Sequence, residues 1–314
     1  MTLTEVIDAY LTRQRSLGMR FESAGQLLHQ FSRAMGSSEI GEVTPEAVAH
    51  FLRGKGALSA TWLLRYKVLT GLYRFAIGRG HVSCSPLPRT LPKLPAQQTP
   101  YVYSTEELHR LVEATTSLRV GHSPQVPAMF RTLLLLLYGS GMRISEALHL
   151  TLKDVDLTEQ VITVRDSKFF KTRLVPIGPK LTRELADHIE RRHQLPMRCG
   201  SASSLFTTRD GRGWCYPRVI SLFQHVRRVA GINCPIGELR PPRLHDIRHT
   251  AAVHRLIAWY RAGQDVQRLL PQLATYLGHI NIRSTQRYLQ MTPDLLQAAS
   301  HRFAQYAMGA DHEA

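Results

Sequence analysis

The feature that most constrains how this chain can fold is a run of prolines near residue 90. Five prolines fall within fifteen residues, at positions 86, 88, 92, 95 and 100. Proline lacks a backbone N–H and fixes φ, so this density excludes a helix interior and favours an extended, semi-rigid segment. We therefore predict a first domain at residues 1–85, a linker at 86–103 and a second domain at 104–314.

The first part has the pattern of four helices with short connections. Apolar residues follow the helical period in residues 2–17, and a second helix is predicted at 22–35. Thr44 and Pro45 form an N-cap followed by a proline at the first helical position, which starts a helix to about Arg53. Ser59 is predicted to cap a longer helix to about Phe75. This is the pattern of an all-α bundle.

The second part mixes helices with one hairpin. Ser104 and Glu107 form a capping box that opens the domain, and an apolar helix is predicted at 127–138. Residues 161–164 and 173–177 are rich in β-branched side chains and flank a turn, so we predict an antiparallel hairpin. Further helices are expected at about 179–193, 217–230, 245–262 and 292–306. The predicted class is mainly α with a small antiparallel β-sheet.

The charge of the chain indicates a polyanionic partner. The net charge is +16, with residues 1–99 contributing +6 and residues 100–314 contributing +10. Both parts are basic, which favours nucleic acid over a merely soluble basic protein. Arginine outnumbers lysine 33 to 7, which suits phosphate binding, although a high genomic GC content would produce the same excess of arginine.

The cysteines and the N-terminus indicate where the protein works. The four cysteines are widely spaced without a CxxC pair, so we expect reduced thiols and no cysteine metal site. The N-terminus lacks the pattern of a signal peptide, and the most apolar run is too short to span a bilayer. We expect a cytoplasmic protein associated with the nucleoid.

Chemistry-bearing residues concentrate between Arg243 and Tyr288. His245 and Arg248 are three residues apart and share one face if the segment is helical. A cationic and a titratable side chain on one face can meet a single anion, and a tyrosine nearby offers a hydroxyl. This combination suggests phosphoryl transfer with a tyrosine nucleophile.

Six positions in chain order carry a family resemblance. Arg143 lies in Gly-Ser-Gly-Met-Arg-Ile-Ser-Glu-Ala-Leu, a lysine lies in the predicted hairpin, and the His-x-x-Arg, Leu-Gly-His and tyrosine elements follow. This order resembles the tyrosine recombinase (integrase) family. The resemblance covers about residues 104–306 as an α+β catalytic domain. The first domain is similar, less specifically, to the helical core-binding (SAM-like) domain of that family.

The resemblance implies a mechanism that needs no metal or cofactor. A tyrosine hydroxyl attacks the scissile phosphodiester and forms a 3′-phosphotyrosyl bond, while two arginines stabilise the charge of the transition state. A lysine protonates the leaving 5′-oxygen, one histidine takes the tyrosine proton or shares it through the phosphate, and the other donates a hydrogen bond to the phosphate. In that order the residues are Tyr288, Arg143 with Arg248, Lys168, His245 and His279.

The expected partners are a duplex with a specific recombination site and further copies of the chain, four on two paired sites. Candidate DNA contacts are Arg53, Lys55, Arg65, Lys67, Lys171 and Arg173. For the N-terminal candidates a solvated helix face is an equal alternative. Lys171 is also the alternative to Lys168 as general acid. The last helix is expected to dock on a neighbouring protomer or to cover its own core.

Three other functions stay open at this point. A type IB topoisomerase and a hairpin telomere resolvase share the tyrosine chemistry but act without partner sites. A non-catalytic DNA-binding protein could keep the same fold, although the six filled positions argue against it.

Overall fold

The computed structural model describes residues 1–19, 21–54, 56, 58–94, 99–118, 124–165, 172–234 and 240–278, with positions 286, 296, 297 and 300. The chain divides into two compact units, Met1–Gln98 and Thr99–Ala314. This division lies inside the stretch 86–103. Leu87 packs against the core of the first unit, and Tyr103 lies in the core of the second.

The first unit is a helical bundle. Its helices are α1 (Leu3–Ser16), α2 (Glu22–Met35), α3 (Pro45–Arg53) and α4 (Ala60–Gly78). Thr2 forms a capping box with Glu5 at the start of α1, and the Thr44 hydroxyl accepts from the backbone N–H of Ala47 at the start of α3. The apolar faces of the four helices share one core, so the predicted four-helix bundle is confirmed.

The second unit contains the remaining helices of the described residues. These are α5 (Thr105–Ala114), α6 (Val126–Ser140), α7 (Ile144–His149), α8 (Pro179–His193), α9 (Tyr216–Val229), α10 (Asp246–Arg261) and α11 (Val266–Leu277). The capping box predicted at Ser104 is present at the start of α5. Helix α6 is the most apolar element and packs against α8 and α10. The helix predicted at 292–306 falls almost entirely outside the described residues.

Helix α11 is an addition to the sequence prediction. It contains Pro271 in its interior, where proline normally ends a helix. Its buried residues Val266, Leu270, Leu273 and Leu277 recur at helical spacing and pack on α10. The tertiary contact made by this apolar face therefore outweighs the local cost of the proline.

A small antiparallel sheet completes the second unit. Strands β1 (Val155–Asp156), β2 (Val161–Val164) and β3 (Arg173–Pro176) pair in the order β1-β2-β3. The predicted hairpin of β2 and β3 is confirmed, with Val164 opposite Arg173 and Ile162 opposite Val175. The two-residue strand β1 was not predicted. The tip of the hairpin, residues 166–171, lies outside the described residues.

No helix in the described part of the chain is both long and apolar enough to cross a membrane.

Candidate active site

The site begins at the glycine turn that ends α6. Gly141 caps the helix with φ +58°, a conformation that glycine adopts without steric cost. A Cβ atom at this position would lie 2.7 Å from Cδ2 of Leu277. The turn therefore needs glycine twice, for its backbone conformation and for the close approach of α11. Arg143 follows as the N-cap residue of α7.

Arg143 is fixed by a glutamate one turn along α7. Its backbone N–H donates to Oε2 of Glu146 at 2.8 Å, and its Nη1 donates to Oε1 of the same carboxylate at 2.8 Å. The arginine side chain is 27% exposed and the glutamate side chain 6%. A nearly buried carboxylate thus holds a guanidinium that still faces solvent.

The same carboxylate also binds an arginine from strand β3. Arg173 donates from Nη1 to Oε1 of Glu146 at 3.0 Å and from Nη2 to Oε2 at 2.8 Å. Two parallel hydrogen bonds of this kind form the strong bidentate geometry of arginine and carboxylate. Burial would raise the pKa of Glu146, but hydrogen bonds from Arg173 and the Arg143 backbone, with both positive charges, lower it to about 2.

Arg248 is positioned on α10 beneath the glycine turn. It is 3% exposed and donates from Nη1 to the carbonyl of Gly141 at 2.7 Å. Its Nη2 donates to the carbonyl of Leu277 at 2.6 Å. A buried guanidinium requires such acceptors, because an unpartnered buried charge is very costly. The contacts fix Arg248 between the end of α6 and the end of α11.

Three arginines therefore converge on the last turn of α11, and we name this arrangement the carbonyl clamp. The three pairs are Arg173 Nε to the Tyr276 carbonyl at 3.1 Å, Arg248 Nη2 to the Leu277 carbonyl at 2.6 Å and Arg143 Nη2 to the Gly278 carbonyl at 3.0 Å. Carbonyls at a helix C-terminus lack partners within the helix and carry the negative end of its dipole. Cations are favoured at this position, so the clamp concentrates positive charge immediately before His279.

His245 stands next to this cluster as the N-cap residue of α10. It is exposed at the surface of the domain, yet its ring packs edge-on against His249 at a centroid distance of 4.8 Å. The pKa of His245 is lowered, first by desolvation from the surrounding protein and then by the charge of Arg248. The imidazole is therefore neutral near pH 7 and can accept a proton.

The described structure covers three of the six predicted catalytic residues. Arg143 and Arg248 are brought to adjacent carbonyls of one turn, and the nearby Arg248 charge acts on the His245 ring. The other three, Lys168, His279 and Tyr288, lie outside the described residues.

The predicted DNA contacts fall into different groups. Arg53 and Lys67 are exposed, whereas Arg65 donates to the carbonyls of Phe51 and Leu52 at 2.9 and 3.4 Å and so ties α4 to the end of α3. The remaining candidates in the hairpin tip and the N-terminal turn, Lys171 and Lys55, lie outside the described residues.

Arg173 requires a correction. Its side chain is 11% exposed, and its guanidinium makes hydrogen bonds to Glu146 and Tyr276 inside the domain. Because these bonds engage Nε and both terminal nitrogens of the guanidinium, the structure does not support the DNA contact predicted at this position.

Glu146, which binds both Arg143 and Arg173, is a residue of this cluster that the sequence prediction did not assign. A usable signal existed, since a glutamate three residues after an arginine at a helix start favours both a capping box and an ion pair. Its link to Arg173 spans 27 residues and had no local signal. Among the described residues, no group of three or more His, Cys, Asp and Glu side chains is arranged to hold a metal ion.

Known proteins resemble this chain along almost its whole length. The profile of the Phage integrase family matches residues 102–294. A Sinorhizobium fredii protein named as an integrase/recombinase (y4rB) is 32% identical over 304 residues, covering 96% of each chain. The tyrosine recombinase XerD of Corynebacterium glutamicum is 27% identical over 272 residues, covering 84% of each.

A solved structure is similar in fold. The lambda integrase tetramer bound to a Holliday junction superposes with a TM-score of 0.66 at 17% identity, covering 92% of this chain and 77% of that chain.

Proposed function

The chain belongs to the phage integrase family of tyrosine recombinases, and on that premise we propose which of its residues break and rejoin DNA. It is a site-specific DNA recombinase that works through a 3′-phosphotyrosyl intermediate. Its partners are double-stranded DNA and further copies of itself.

The observation that carries the assignment is the convergence of Arg143 and Arg248 on one turn. Their Nη2 atoms donate to the adjacent carbonyls of Gly278 and Leu277, so two guanidiniums are held side by side. A guanidinium carries five N–H groups in a planar fork, a geometry that suits a phosphate. We assign both to the non-bridging oxygens of the scissile phosphate, where negative charge develops during cleavage.

Tyr288 is the proposed nucleophile. Its hydroxyl oxygen forms a bond to phosphorus while the bond from phosphorus to the 5′-oxygen breaks. His245 takes the tyrosine proton, a role that suits its lowered pKa. Lys168 gives a proton to the leaving 5′-oxygen, with Lys171 as the alternative donor, and His279 donates a hydrogen bond to the phosphate. The covalent bond keeps the energy of the phosphodiester, so the 5′-hydroxyl of another strand can reverse the step.

The first unit is proposed to grip the duplex, with the core-binding domain at 1–85, the linker at 86–103 and the catalytic domain at 104–314. Arg53 and Lys67 are exposed on it, and with Lys55 they are assigned to phosphate contacts. Such contacts orient the protein on DNA without reading its sequence. We place the reaction in the cytoplasm at the nucleoid, with four protomers on two paired sites.

Covalent trapping tests the proposal. The wild type and a Tyr288→Phe variant are incubated without Mg²⁺ with duplexes from DNA flanking the gene, each nicked close to the cleavage position in the scissile strand. The short fragment released by cleavage diffuses away, so a phosphotyrosyl adduct accumulates. We expect a denaturation-resistant, protease-sensitive adduct with the wild type that maps to Tyr288.

The variant serves as the matched control because it loses one hydroxyl. It should bind the same duplex without forming an adduct. Specific binding by both proteins with no adduct from either would refute the catalytic assignment and favour a non-catalytic DNA-binding protein. A wild-type adduct that maps to another tyrosine would refute the role of Tyr288.

A further inference from the structure

Strand β3 directs Arg173 into the domain. Side chains alternate between the two faces of a strand, so Arg173 and Val175 share a face while Leu174 points the opposite way. Val175 is fully buried and Leu174 is 64% exposed, which identifies the face of Arg173 as the inner one. An arginine on the core side of a sheet must find acceptors there.

Arg173 finds these acceptors in two different elements. Its two terminal nitrogens bind the Glu146 carboxylate of α7, and its Nε donates to the Tyr276 carbonyl of α11. The planar guanidinium thus joins three elements through three hydrogen bonds. Lysine could not reproduce this arrangement, because an ammonium is a point charge without the fork geometry.

Glu146 transmits the position of Arg173 to Arg143. The carboxylate accepts from both guanidiniums, and its Oε1 atom lies 2.8 Å from Nη1 of Arg143 and 3.0 Å from Nη1 of Arg173. A carboxylate held on one side by a bidentate arginine has little freedom on the other. The Glu146 carboxylate, which Arg173 holds in place, therefore fixes the orientation of Arg143 toward a phosphate.

The third hydrogen bond of Arg173, donated by Nε, is part of the carbonyl clamp. It holds the Tyr276 carbonyl two residues before Gly278, whose own carbonyl accepts from Arg143. The packing there is tight, since a Cβ atom on Gly278 would lie 2.8 Å from Nη1 of Arg173. Arg173 therefore touches both ends of the arrangement that holds Arg143.

We infer that Arg173 is a positioning residue for DNA cleavage, which fixes Arg143 through Glu146 and fixes the turn before His279 through the Tyr276 carbonyl. The inference rests on the proposed role of Arg143. Arg173 itself does not bind the phosphate in this arrangement. Its loss should slow the chemical step and leave the affinity for DNA unchanged.

The test compares Arg173→Gln, Arg173→Lys and the control Arg165→Gln. Arg165 is matched because it also pairs with a nearly buried carboxylate, that of Asp154, without contacting Glu146. The Arg173→Gln variant should fold, because Glu146 keeps its bonds to Arg143 and the Tyr276 hydroxyl still lies within hydrogen-bond distance of Gly139 and Pro176. Thermal melting checks this point.

The first readout is single-turnover adduct formation on the nicked duplex at saturating protein. We expect the single-turnover cleavage rate of Arg173→Gln to be about 10- to 100-fold lower than that of the wild type, because small misplacements of catalytic groups cause losses of this size. Arg173→Lys, which can still meet Glu146, should lie between this variant and the wild type, and Arg165→Gln should match the wild type. Unchanged cleavage in Arg173→Gln would overturn the proposal, and if that variant does not fold, Arg173→Lys decides in the same way.

The second readout is DNA affinity as a function of salt. Loss of one phosphate contact reduces the slope of log K against log salt by about 0.9. Arg173→Gln should keep the wild-type affinity and slope, and a weaker affinity with a smaller slope would instead identify a DNA contact and overturn the proposal.

A double-mutant cycle with Glu146→Gln tests whether Arg173 acts on Arg143 through Glu146. The effects of Arg173→Gln and Glu146→Gln on the cleavage rate should be clearly less than additive, because both remove the same link. Additive effects would show that Arg173 acts independently of Glu146. A wild type that forms no adduct on specifically bound DNA would contradict the proposed function itself, an outcome distinct from all of these.

Discussion

Gly278 offers a test of the carbonyl clamp by a single methyl group. It follows α11 with φ +68°, and Gly263 follows α10 with φ +67°. An alanine pays the same conformational cost at both positions, about 1–2 kcal/mol for a left-handed residue. The surroundings differ, because a Cβ atom at Gly263 meets nothing within 4 Å, whereas one at Gly278 lies 2.8 Å from Nη1 and 2.9 Å from Cζ of Arg173.

A comparison of the two substitutions should therefore separate the effect of backbone strain, which both share, from the effect of displacing Arg173, which only Gly278→Ala causes. Gly263→Ala should lower the free energy of unfolding by about 1–2 kcal/mol and leave cleavage unchanged. Gly278→Ala should also push Arg173 away from Glu146. Breaking a buried ion pair costs about 3–5 kcal/mol, but Arg143 still binds the carboxylate, so we expect the displacement of Arg173 to cost only about 1–2 kcal/mol. Together with the conformational cost of about 1–2 kcal/mol, the total loss should be about 2–4 kcal/mol.

The assays are urea denaturation for the unfolding free energy and single-turnover adduct formation for the reaction. We expect Gly278→Ala to cleave about 10- to 100-fold more slowly than Gly263→Ala at temperatures where both are folded. Equal stability losses together with equal cleavage rates would refute the reasoning, because they would mean that Arg173 can move aside without consequence.

Two further predictions concern pH. The pKa of Glu146 is about 2 in the folded protein against an ordinary 4.5, so it contributes about 3 kcal/mol of stability that is present above pH 4.5 and is lost as pH falls toward 2. The unfolding free energy of the wild type should fall more steeply in this window than that of Glu146→Gln, and parallel curves would contradict the pairing. The pKa of His245 is lowered from 6.5, first by desolvation, so the ring stays neutral to a lower pH, and the decline of single-turnover cleavage that His245 causes should be centred below pH 6.5. A decline centred at or above 6.5 that disappears in His245→Asn would contradict this assignment.

Elements with strong local signals were predictable from the sequence. Thr44-Pro45 and the capping box at Ser104 gave the starts of α3 and α5, because caps act through residues three positions apart. The β2–β3 hairpin followed from β-branched runs on either side of a turn. The predictions that failed depended on distant parts of the chain.

Two failures show the physical reason. Helix α11 contains Pro271, and a proline inside a segment predicts that the segment is not helical. Packing against α10, which the sequence pattern does not show, stabilises the helix all the same. The Arg173 guanidinium binds Glu146 and Tyr276, which are 27 and 103 residues away in the sequence. In a basic chain a single arginine carries little information until its acceptors are known.

The carbonyl clamp has a consequence for how sequences of this kind can drift. Its acceptors belong to the peptide backbone at positions 276–278, so they persist whatever side chains the first two of these positions carry. Side-chain scanning there would leave the acceptors untouched, whereas replacing a peptide bond by an ester would weaken them. Substitutions that weaken this anchor should therefore fall on the three arginines and on Gly278, whereas changes at Tyr276 and Leu277 should act through their side-chain contacts and leave the backbone acceptors in place.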